Sequence, residues 1–329
     1  MNWLKKMIPL QLKSPVSVFF RELGKYPLDL VYKHALRTYV EEGGRVAGLQ
    51  KEKIYRDVHK ATLAYLDAQY GAMMECHTTD YVSGEKSREP VIWIFWWQGE
   101  ECAPDIVKRC ISSVRQNASG IKVCVIDSGN FGEYVSVPQH IMQKLEQGKI
   151  SFTHFSDYYR MALLASHGGM WIDASLYAKG QLPREIFDLP VWSVRNPSGI
   201  FTNVSNWEWT VGAIAGWKGN TLFCTVEKLL NAYWKENDRV VDYFLLDYMM
   251  RLVVGGCAGL QKELAEIPAN NPDFMYLQEH LADPAEIYMD EFYGQATVLY
   301  KISWKNSYPQ VTADGKQTVY AKWLAGHAL

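Results

Sequence analysis

The segment from Phe155 to Leu176 constrains the fold of this chain more than any other, because a helix, a glycine break and a strand follow one another within it. Apolar side chains recur at helical spacing in its first half, at Tyr158, Met161, Ala162 and Ala165. Ser156 is expected to cap this helix, and Gly168 to end it. Met170–Ile172 then has the composition of a short buried strand. The segment therefore predicts a helix–strand unit of an α/β fold.

Four polar side chains flank this helix and strand, and we expect them to meet. Asp157 and Arg160 are three residues apart and share one face of the predicted helix. Asp173 and Ser175 follow the strand and project to one side, because side chains alternate along an extended chain. Two acids, a guanidinium and a hydroxyl in one small volume suit the binding of a phosphorylated sugar.

The preceding part of the chain predicts a parallel sheet. Val91–Trp97 is apolar throughout, which is typical of a strand buried on both faces. Lys122–Asp127 and Ile150–Thr153 are predicted as the second and third strands, with helices after Pro104 and Pro138 between them. This alternation is typical of a doubly wound α/β fold, whose ligands bind at the carboxyl ends of the strands.

Three residues at predicted carboxyl ends, Trp97, Asp127 and Asp173, indicate a common site at that edge of the sheet. Beyond Asn196 the pattern is less regular. The elements predicted there are a strand at Trp207–Ala215, helices at Thr221–Lys235 and Asp242–Val254, and an extended tail at Val298–Lys305.

The motif Ser-Asp-x-x-Arg at 156–160, followed by Gly-Gly-x-aromatic-x-Asp-x-Ser at 168–175, resembles the DXD region of sugar-nucleotide transferases with the GT-A fold. The resemblance is strongest to the bacterial capsular polysaccharide synthesis proteins, and weaker to DXD-type mannosyl- and galactosyltransferases and the large glucosylating toxins. It covers Pro90 to Asn196, and the tail at Tyr300–Lys305 less well. It implies a Rossmann-like GT-A core at 90–329, preceded by an N-terminal helical segment at 1–89.

The resemblance also implies roles for individual residues. Asp157 and Arg160 would bind the donor sugar and its phosphates, and Asp173 the metal and the diphosphate. Ser175 stands where many relatives carry a second Asp, so Asp173 and Ser175 are the expected ligands of a weakly held Mn²⁺ or Mg²⁺. The remaining candidates are Trp97 for stacking on the base, Ala174 for space near the sugar, and Lys301, Ser303 and Lys305 for closing over the diphosphate. Each candidate also has a purely structural alternative. Trp97 could be a core residue, Asp157 and Arg160 an ordinary surface pair, and the tail at 301–305 a plain edge strand.

The N-terminal region differs from the rest of the chain in charge. Residues 1–60 contain 12 Lys and Arg against 6 Asp and Glu, whereas the remainder has 22 against 30. With Trp3, Leu4, Met7 and Ile8 among lysines, this end is expected either to anchor the protein on a membrane surface or to pack on the core. Six cysteines without metal spacing indicate reduced thiols, and therefore a cytoplasmic protein, peripheral at most on the inner face of the membrane.

The resemblance, together with these features, implies a glycosyltransferase that moves a hexose, with retention, from a UDP-sugar to a saccharide acceptor, which can be lipid-linked; no nucleic-acid partner is expected. Asp242 or Asp247 could approach the acceptor hydroxyl, but helix capping explains Asp242 equally well. A nucleotide-sugar-binding protein without transfer activity is the alternative. A Rossmann-type oxidoreductase is disfavoured, because Gly99-Glu100-Glu101-Cys102 replaces the glycine-rich loop and its acids would repel a pyrophosphate.

Overall fold

The computed structural model describes residues 14–78, 80–196, 201–286 and 296–325, and a five-stranded sheet lies at its centre. The strands are β1 (Val91–Phe95), β2 (Lys122–Ile126), β3 (Gly169–Ile172), β4 (Leu176–Ala178), β5 (Val191–Ser193), β6 (Ala213–Gly216) and β7 (Leu299–Lys301). The central sheet has the order β2–β1–β3–β6–β5, and β4 pairs with β7 in a separate small sheet. The predicted α/β class is confirmed.

The central sheet is mixed rather than parallel throughout. β1 runs parallel to both β2 and β3, as the predicted alternation requires. β6 runs antiparallel to β3 and to β5. The doubly wound parallel sheet is therefore present only in the first half, because the chain enters β5 and β6 without crossover helices of the βαβ kind.

Helices cover the sheet and extend its core. They are α1 (Pro15–Glu22), α2 (Leu28–Glu41), α3 (Gly48–Thr78), α4 (Asp105–Gln116), α5 (Gln139–Glu146), α6 (Phe152–His167), α7 (Thr221–Glu236), α8 (Leu245–Gly255), α9 (Ala258–Glu266), α10 (Tyr276–His280) and α11 (Val319–Leu324). α7 packs between α6 and α8, and the long α3 lies against both α7 and α8. The core is therefore a sheet with stacked helices, and its edge carries the polar residues considered below.

Several predicted elements differ in the structure. Ile150–Thr153 does not form the predicted strand, because the Ser151 side chain accepts a hydrogen bond from the His154 amide and caps α6 at that point. Ser156 is consequently inside the helix and does not cap it. The strand predicted from Trp207 is confined to Ala213–Gly216, since Trp207 has a positive φ of 57° and the chain turns there.

Two further elements begin or end at residues other than those predicted. The first strand ends at Phe95, two residues earlier than predicted, and the helix predicted from Asp242 begins only at Leu245. The helix predicted at Thr221–Lys235 is confirmed within the longer α7, and α1, α2 and α3 lie in the predicted N-terminal helical segment. The predicted anchor residues Trp3, Leu4, Met7 and Ile8 lie outside the described residues.

The N-terminal helices are tied to the core by buried charges. The Arg37 guanidinium on α2 lies 2.6 Å from the carboxylate of Asp242, which precedes α8. His34 hydrogen-bonds to Glu22 at 2.9 Å and lies 3.9 Å from Asp242. Burial alone would raise the pKa of Asp242, but attraction to Arg37 and His34 holds it below its usual value. These polar contacts join residues on the two sides of the predicted boundary at residue 89.

None of the described helices is long and apolar enough to cross a bilayer.

Gly168 and Gly169, at the junction of α6 and β3, allow the strand to lie beside β1. The Trp93 indole donates to the Gly168 carbonyl at 2.8 Å, which brings the end of α6 against β1. Gly169 has a φ of +93°, and a Cβ there would lie 2.4 Å from the Val91 carbonyl oxygen. Only glycine satisfies both conditions, since other residues are strained at positive φ and backbone atoms cannot move aside cheaply.

We expect Gly169→Ala to destabilise the protein by about 2–4 kcal/mol, from the disfavoured backbone conformation and the contact with β1. Urea unfolding of the two proteins measures the difference. Gly48→Ala is the matched control, because Gly48 opens α3 and a Cβ at that position would meet no atom within 4 Å. Equal stability of both variants would contradict the close approach of β3 to β1.

Candidate functional site

Asp173 follows the last residue of β3 and lies at the carboxyl edge shared by the three parallel strands. Its amide donates to the Gly212 carbonyl at 2.7 Å, and its carbonyl accepts from Leu176 at 2.9 Å. The chain therefore turns at Asp173 rather than continuing as a strand, and it enters β4 at Leu176. Strand alternation is thus not the reason why Asp173 and Ser175 share a side, and the turn places them together instead.

Three donors converge on the Asp173 carboxylate. Its Oδ1 accepts from the Trp171 indole at 2.9 Å and from Arg160 Nη2 at 3.2 Å. Its Oδ2 accepts from Lys301 Nζ at 3.1 Å. Burial would raise the pKa of Asp173, but Lys301 and Arg160 hold it well below its usual range. The carboxylate is therefore ionised at neutral pH, and its side chain remains partly exposed to solvent.

Arg160 projects from α6 and is only 4% exposed. Its guanidinium lies 4.8 Å from the centre of the Trp171 ring, and its Nη1 lies 3.4 Å from a carboxylate oxygen of Asp157. Within the described residues, Nε and Nη1 donate no hydrogen bond. Both nitrogens are enclosed, and a buried charged donor without a hydrogen-bond acceptor is costly, so Arg160 retains donor capacity that the described residues leave unsatisfied.

Asp157 lies beside Arg160, and its electrostatic environment differs from that of Asp173. Burial raises the pKa of Asp157, and the charge of Asp173 adds to the rise; Arg160 and His154 oppose it without reversing it. The structure therefore brings Asp157, Arg160 and Asp173 together, as the sequence predicts. The two acids share one guanidinium, which hydrogen-bonds to Asp173 at 3.2 Å and lies 3.4 Å from Asp157.

Lys301 reaches the site from the end of β7. This strand pairs antiparallel with β4, and the backbone amides of Lys301 and Ile302 donate to Phe274 and Ser175 at 2.7 and 3.0 Å. The Lys301 ammonium donates to the Ser175 hydroxyl at 3.0 Å as well as to Asp173. The sequence predicts that the tail closes over the site; in the structure it is paired with β4 and places Lys301 next to Asp173.

The other two tail candidates lie differently. β7 ends at Lys301, and the Ser303 carbonyl accepts from the Asn306 amide at 3.3 Å as the chain turns. The Lys305 ammonium lies 5.5 Å from the centre of the Trp304 ring. Among the described residues, Lys301 is the one tail candidate that hydrogen-bonds to Asp173.

Trp97 and Ala174 follow the carboxyl ends of the parallel strands β1 and β3. Trp97 follows β1 and is half-buried, with its ring 5.3 Å from those of Phe131 and Phe155 and 5.6 Å from that of Phe152. Ala174 is buried in the hydrophobic core next to Asp173. Asp127 uses one carboxylate oxygen to accept from the backbone amides of residues 129 and 130, which organises the turn after β2.

The two acids near α8 are separated by the structure. Asp242 pairs with Arg37 and faces the N-terminal helices. Asp247 is buried in the first turn of α8 and accepts from the Trp209 indole at 2.9 Å. Burial raises the pKa of Asp247 to about 7, with a further contribution from the charge of Asp157. Asp247 therefore belongs electrostatically to the Asp157–Arg160 group.

Tyr243 is a site residue that the sequence reasoning missed. Burial raises the pKa of its phenol, and the charges of Asp157 and Asp173 raise it further, so the ring lies within their field. Its carbonyl accepts a hydrogen bond from the His154 ring at 3.3 Å. The signal in the sequence was weak, because the tyrosine stands between two candidate acids in a stretch with no motif.

A divalent cation at Asp173 and Ser175 is poorly matched to this arrangement. Lys301 donates to both predicted ligands, and both oxygens of Asp173 already accept from N–H donors. Within the described ranges, no group of three or more His, Cys, Asp or Glu side chains could hold a metal ion. The donor set as it stands does not fit Mn²⁺ or Mg²⁺, which require several oxygen ligands free of competing cations. The metal predicted from the sequence stays a prediction.

The fold and the site define an α/β protein with an acid–base cluster at the carboxyl edge of its parallel strands. A family model described as capsular polysaccharide synthesis protein matches residues 45–323. The chain therefore belongs to the capsular polysaccharide synthesis protein family, which confirms the resemblance and indicates a role in polysaccharide biosynthesis. The match begins within the predicted N-terminal segment, before α3. No curated protein matches the chain significantly.

We expect Asp247→Asn to stabilise the protein at alkaline pH. Folding raises the pKa of Asp247 from 3.8 to about 7, so ionisation costs folding free energy increasingly from pH 4 to pH 7 and by a constant amount above. The asparagine removes this cost while its oxygen still accepts from Trp209. The gain in free energy of unfolding should be about 1–4 kcal/mol at pH 8 and vanish near pH 4.

Urea unfolding of the parent and the variant at both pH values measures this gain. Asp67→Asn, at an exposed position on α3, is the control for removing one carboxylate. A gain that is the same at both pH values would show that Asp247 is not the group that titrates.

Proposed function

We propose that this protein is a glycosyltransferase that moves a hexose from a nucleotide sugar, a UDP-sugar in the simplest case, to a saccharide acceptor in capsule or surface-polysaccharide assembly. The observation that carries the proposal is the buried Arg160, whose unused donors lie beside Asp157 and Asp173 at the carboxyl edge of the sheet. Phosphate oxygens are suitable acceptors for such a guanidinium. Family membership supports a sugar-related substrate.

The sheet topology supports a GT-A-type core. Strands β2, β1 and β3 are parallel and would form the nucleotide-binding half, and β6 joins β3 in antiparallel orientation. A ligand in such a sheet is expected at the carboxyl ends of the parallel strands, where Asp173 lies. The half-buried Trp97 ring at the end of β1 would lie against the base, while Arg160 binds the diphosphate.

The remaining cluster would orient the two sugars. Asp157 would accept from a hydroxyl group of the donor sugar, with Ala174 leaving room for the ring. Asp247, whose pKa is raised to about 7, can both accept from and donate to an acceptor hydroxyl near neutral pH. Retention of the anomeric configuration is the expected stereochemistry, and proton NMR of the product measures it directly.

A thermal-shift series with UDP-, GDP- and CMP-sugars tests donor binding. A ligand at 100 times its Kd stabilises the folded protein by about 2.7 kcal/mol, so one nucleotide class should raise the melting temperature clearly. Arg160→Gln should abolish this shift, because it removes the charge facing the phosphates. Arg115→Gln is the matched control, since Arg115 pairs with Glu100 on the surface of α4. Absence of a shift with every donor would contradict the proposal.

Turnover separates the proposed enzyme from a nucleotide-sugar-binding protein. Incubation of the stabilising donor with a panel of saccharides should release the nucleoside diphosphate in an acceptor-dependent manner. Donor binding without release for any acceptor would favour the alternative, in which Ser175 in place of a second acid reflects the loss of transfer.

We also propose that the N-terminal helices contact an anionic membrane surface, where a lipid-linked acceptor would be found. α1 and α2 expose large apolar side chains, with Phe20 69% and Leu28 62% accessible, and Tyr32 lies one turn after Leu28. Lys25 lies between the two helices and is exposed. Apolar side chains flanked by basic ones are the combination that binds lipid interfaces.

Phe20→Asp together with Tyr32→Asp should greatly weaken co-sedimentation with phosphatidylglycerol vesicles at low salt. Each basic residue near such a surface contributes about 1 kcal/mol, so binding should also fall as salt is raised. Val311→Asp, at an apolar position with 58% exposure elsewhere, is the control. Unchanged sedimentation of the double variant would indicate that these helices serve packing alone.

A further inference from the structure

The Lys301 ammonium lies between the two residues that the sequence predicts as metal ligands. It is 3.1 Å from the Asp173 carboxylate and 3.0 Å from the Ser175 hydroxyl. A divalent cation bound to the same oxygens would meet this positive charge at close range. The ammonium is thus placed where a metal would otherwise be held, and it carries charge of the same sign.

The position of this ammonium is imposed by the backbone around it. Register pairs within β4 and β7 place Leu176 opposite Lys301 and Tyr177 opposite Tyr300. Tyr177 and Tyr300 belong to a buried cluster that includes Trp323 of α11. Strand pairing and this buried cluster therefore hold Lys301 beside Asp173 before any ligand binds. A charge held in place before the ligand binds stabilises developing negative charge without the cost of reorganisation.

Both cations of the site retain donors for a ligand. The ammonium has three N–H groups, of which two are used by Asp173 and Ser175 among the described residues. Arg160 uses Nη2 for Asp173, while its Nε and Nη1 make no hydrogen bond there. Asp173 accepts from both, so a single carboxylate holds two positive groups close together. Two charged donors side by side match the oxygens of a diphosphate.

We infer that Lys301 and Arg160 together replace the divalent cation, so that this protein binds the diphosphate group of its donor and transfers the sugar without a metal ion. The inference rests on the proposed function. In the transfer step, the bond between the anomeric carbon and the diphosphate oxygen breaks, and its electron pair stays on that oxygen. The acceptor oxygen bonds to the anomeric carbon, and the hydroxyl proton ends on the released diphosphate.

Calorimetric titration with inorganic pyrophosphate in excess EDTA tests the cation pair independently of the nucleotide base. The parent should bind pyrophosphate, and Lys301→Ala should weaken binding about 10- to 100-fold, as for the loss of one hydrogen bond between charged groups. Lys301→Arg keeps the charge and should retain most of the affinity. Lys262→Ala is the matched control, because the Lys262 side chain is 80% exposed on α9. Equal affinity of the parent and Lys301→Ala would overturn the inference.

The second measurement concerns the metal itself. Electron paramagnetic resonance should detect no Mn²⁺ bound by the parent, whereas the double variant Lys301→Ala, Ser175→Asp should bind it, because two carboxylates then face each other without the ammonium. Transfer by the parent should proceed at the same rate in EDTA and in Mn²⁺. The double variant should be active only with Mn²⁺.

The outcomes distinguish this inference from the proposed function. Transfer that is lost in EDTA and restored by Mn²⁺ would overturn the inference and leave the glycosyltransferase intact. If no donor binds and no transfer occurs, the proposed function fails, and the pyrophosphate titration still decides whether Lys301 and Arg160 form an anion site. Pyrophosphate binding in EDTA that depends on Lys301 would support that site, and its absence would overturn it.

Discussion

The Asp173 carboxylate is the acceptor on which the candidate site depends. It binds the indole of Trp171 on its own strand, the guanidinium of Arg160 on α6 and the ammonium of Lys301 on β7. A guanidinium and an ammonium held this close would repel each other without an anion between them. One ionised side chain therefore connects a helix, the central sheet and the small second sheet, and it does so at the edge where ligands of parallel strands bind.

The surroundings give four aspartates different chemistry. Attraction to cations lowers the pKa of Asp173 and of Asp242 in spite of burial, whereas burial raises the pKa of Asp157 and brings that of Asp247 to about 7. The charged pair of Asp242 and Arg37 joins the N-terminal helices to the core. The other three acids influence one another electrostatically and differ in proton affinity, and perturbed pKa values of this kind cluster at functional sites.

Local patterns were sufficient for much of the fold. Periodicity and glycine breaks are visible in the sequence itself. The apolar run from Val91 forms β1, the glycines after His167 separate α6 from the body of β3, and the amphipathic patterns form helices. Errors occurred where a single side chain outweighed the pattern. Ser151 caps α6 and prevents a strand at Ile150, and the positive φ of Trp207 delays β6. The antiparallel placement of β6 had no local signal, because strand direction depends on how the connection crosses the core.

The sequence by itself determined which groups could form the site: an acid and a guanidinium three residues apart on a helix, and an acid directly after a buried strand. The tertiary structure alone decided their partners. Lys301 and Asp173 are 128 residues apart, and they meet because β7 pairs with β4. The structure also pairs Asp242 with Arg37 and Asp247 with the Trp209 indole, which residue spacing could not distinguish. Periodicity reports the face on which a side chain lies, whereas its partners depend on the packing of distant elements.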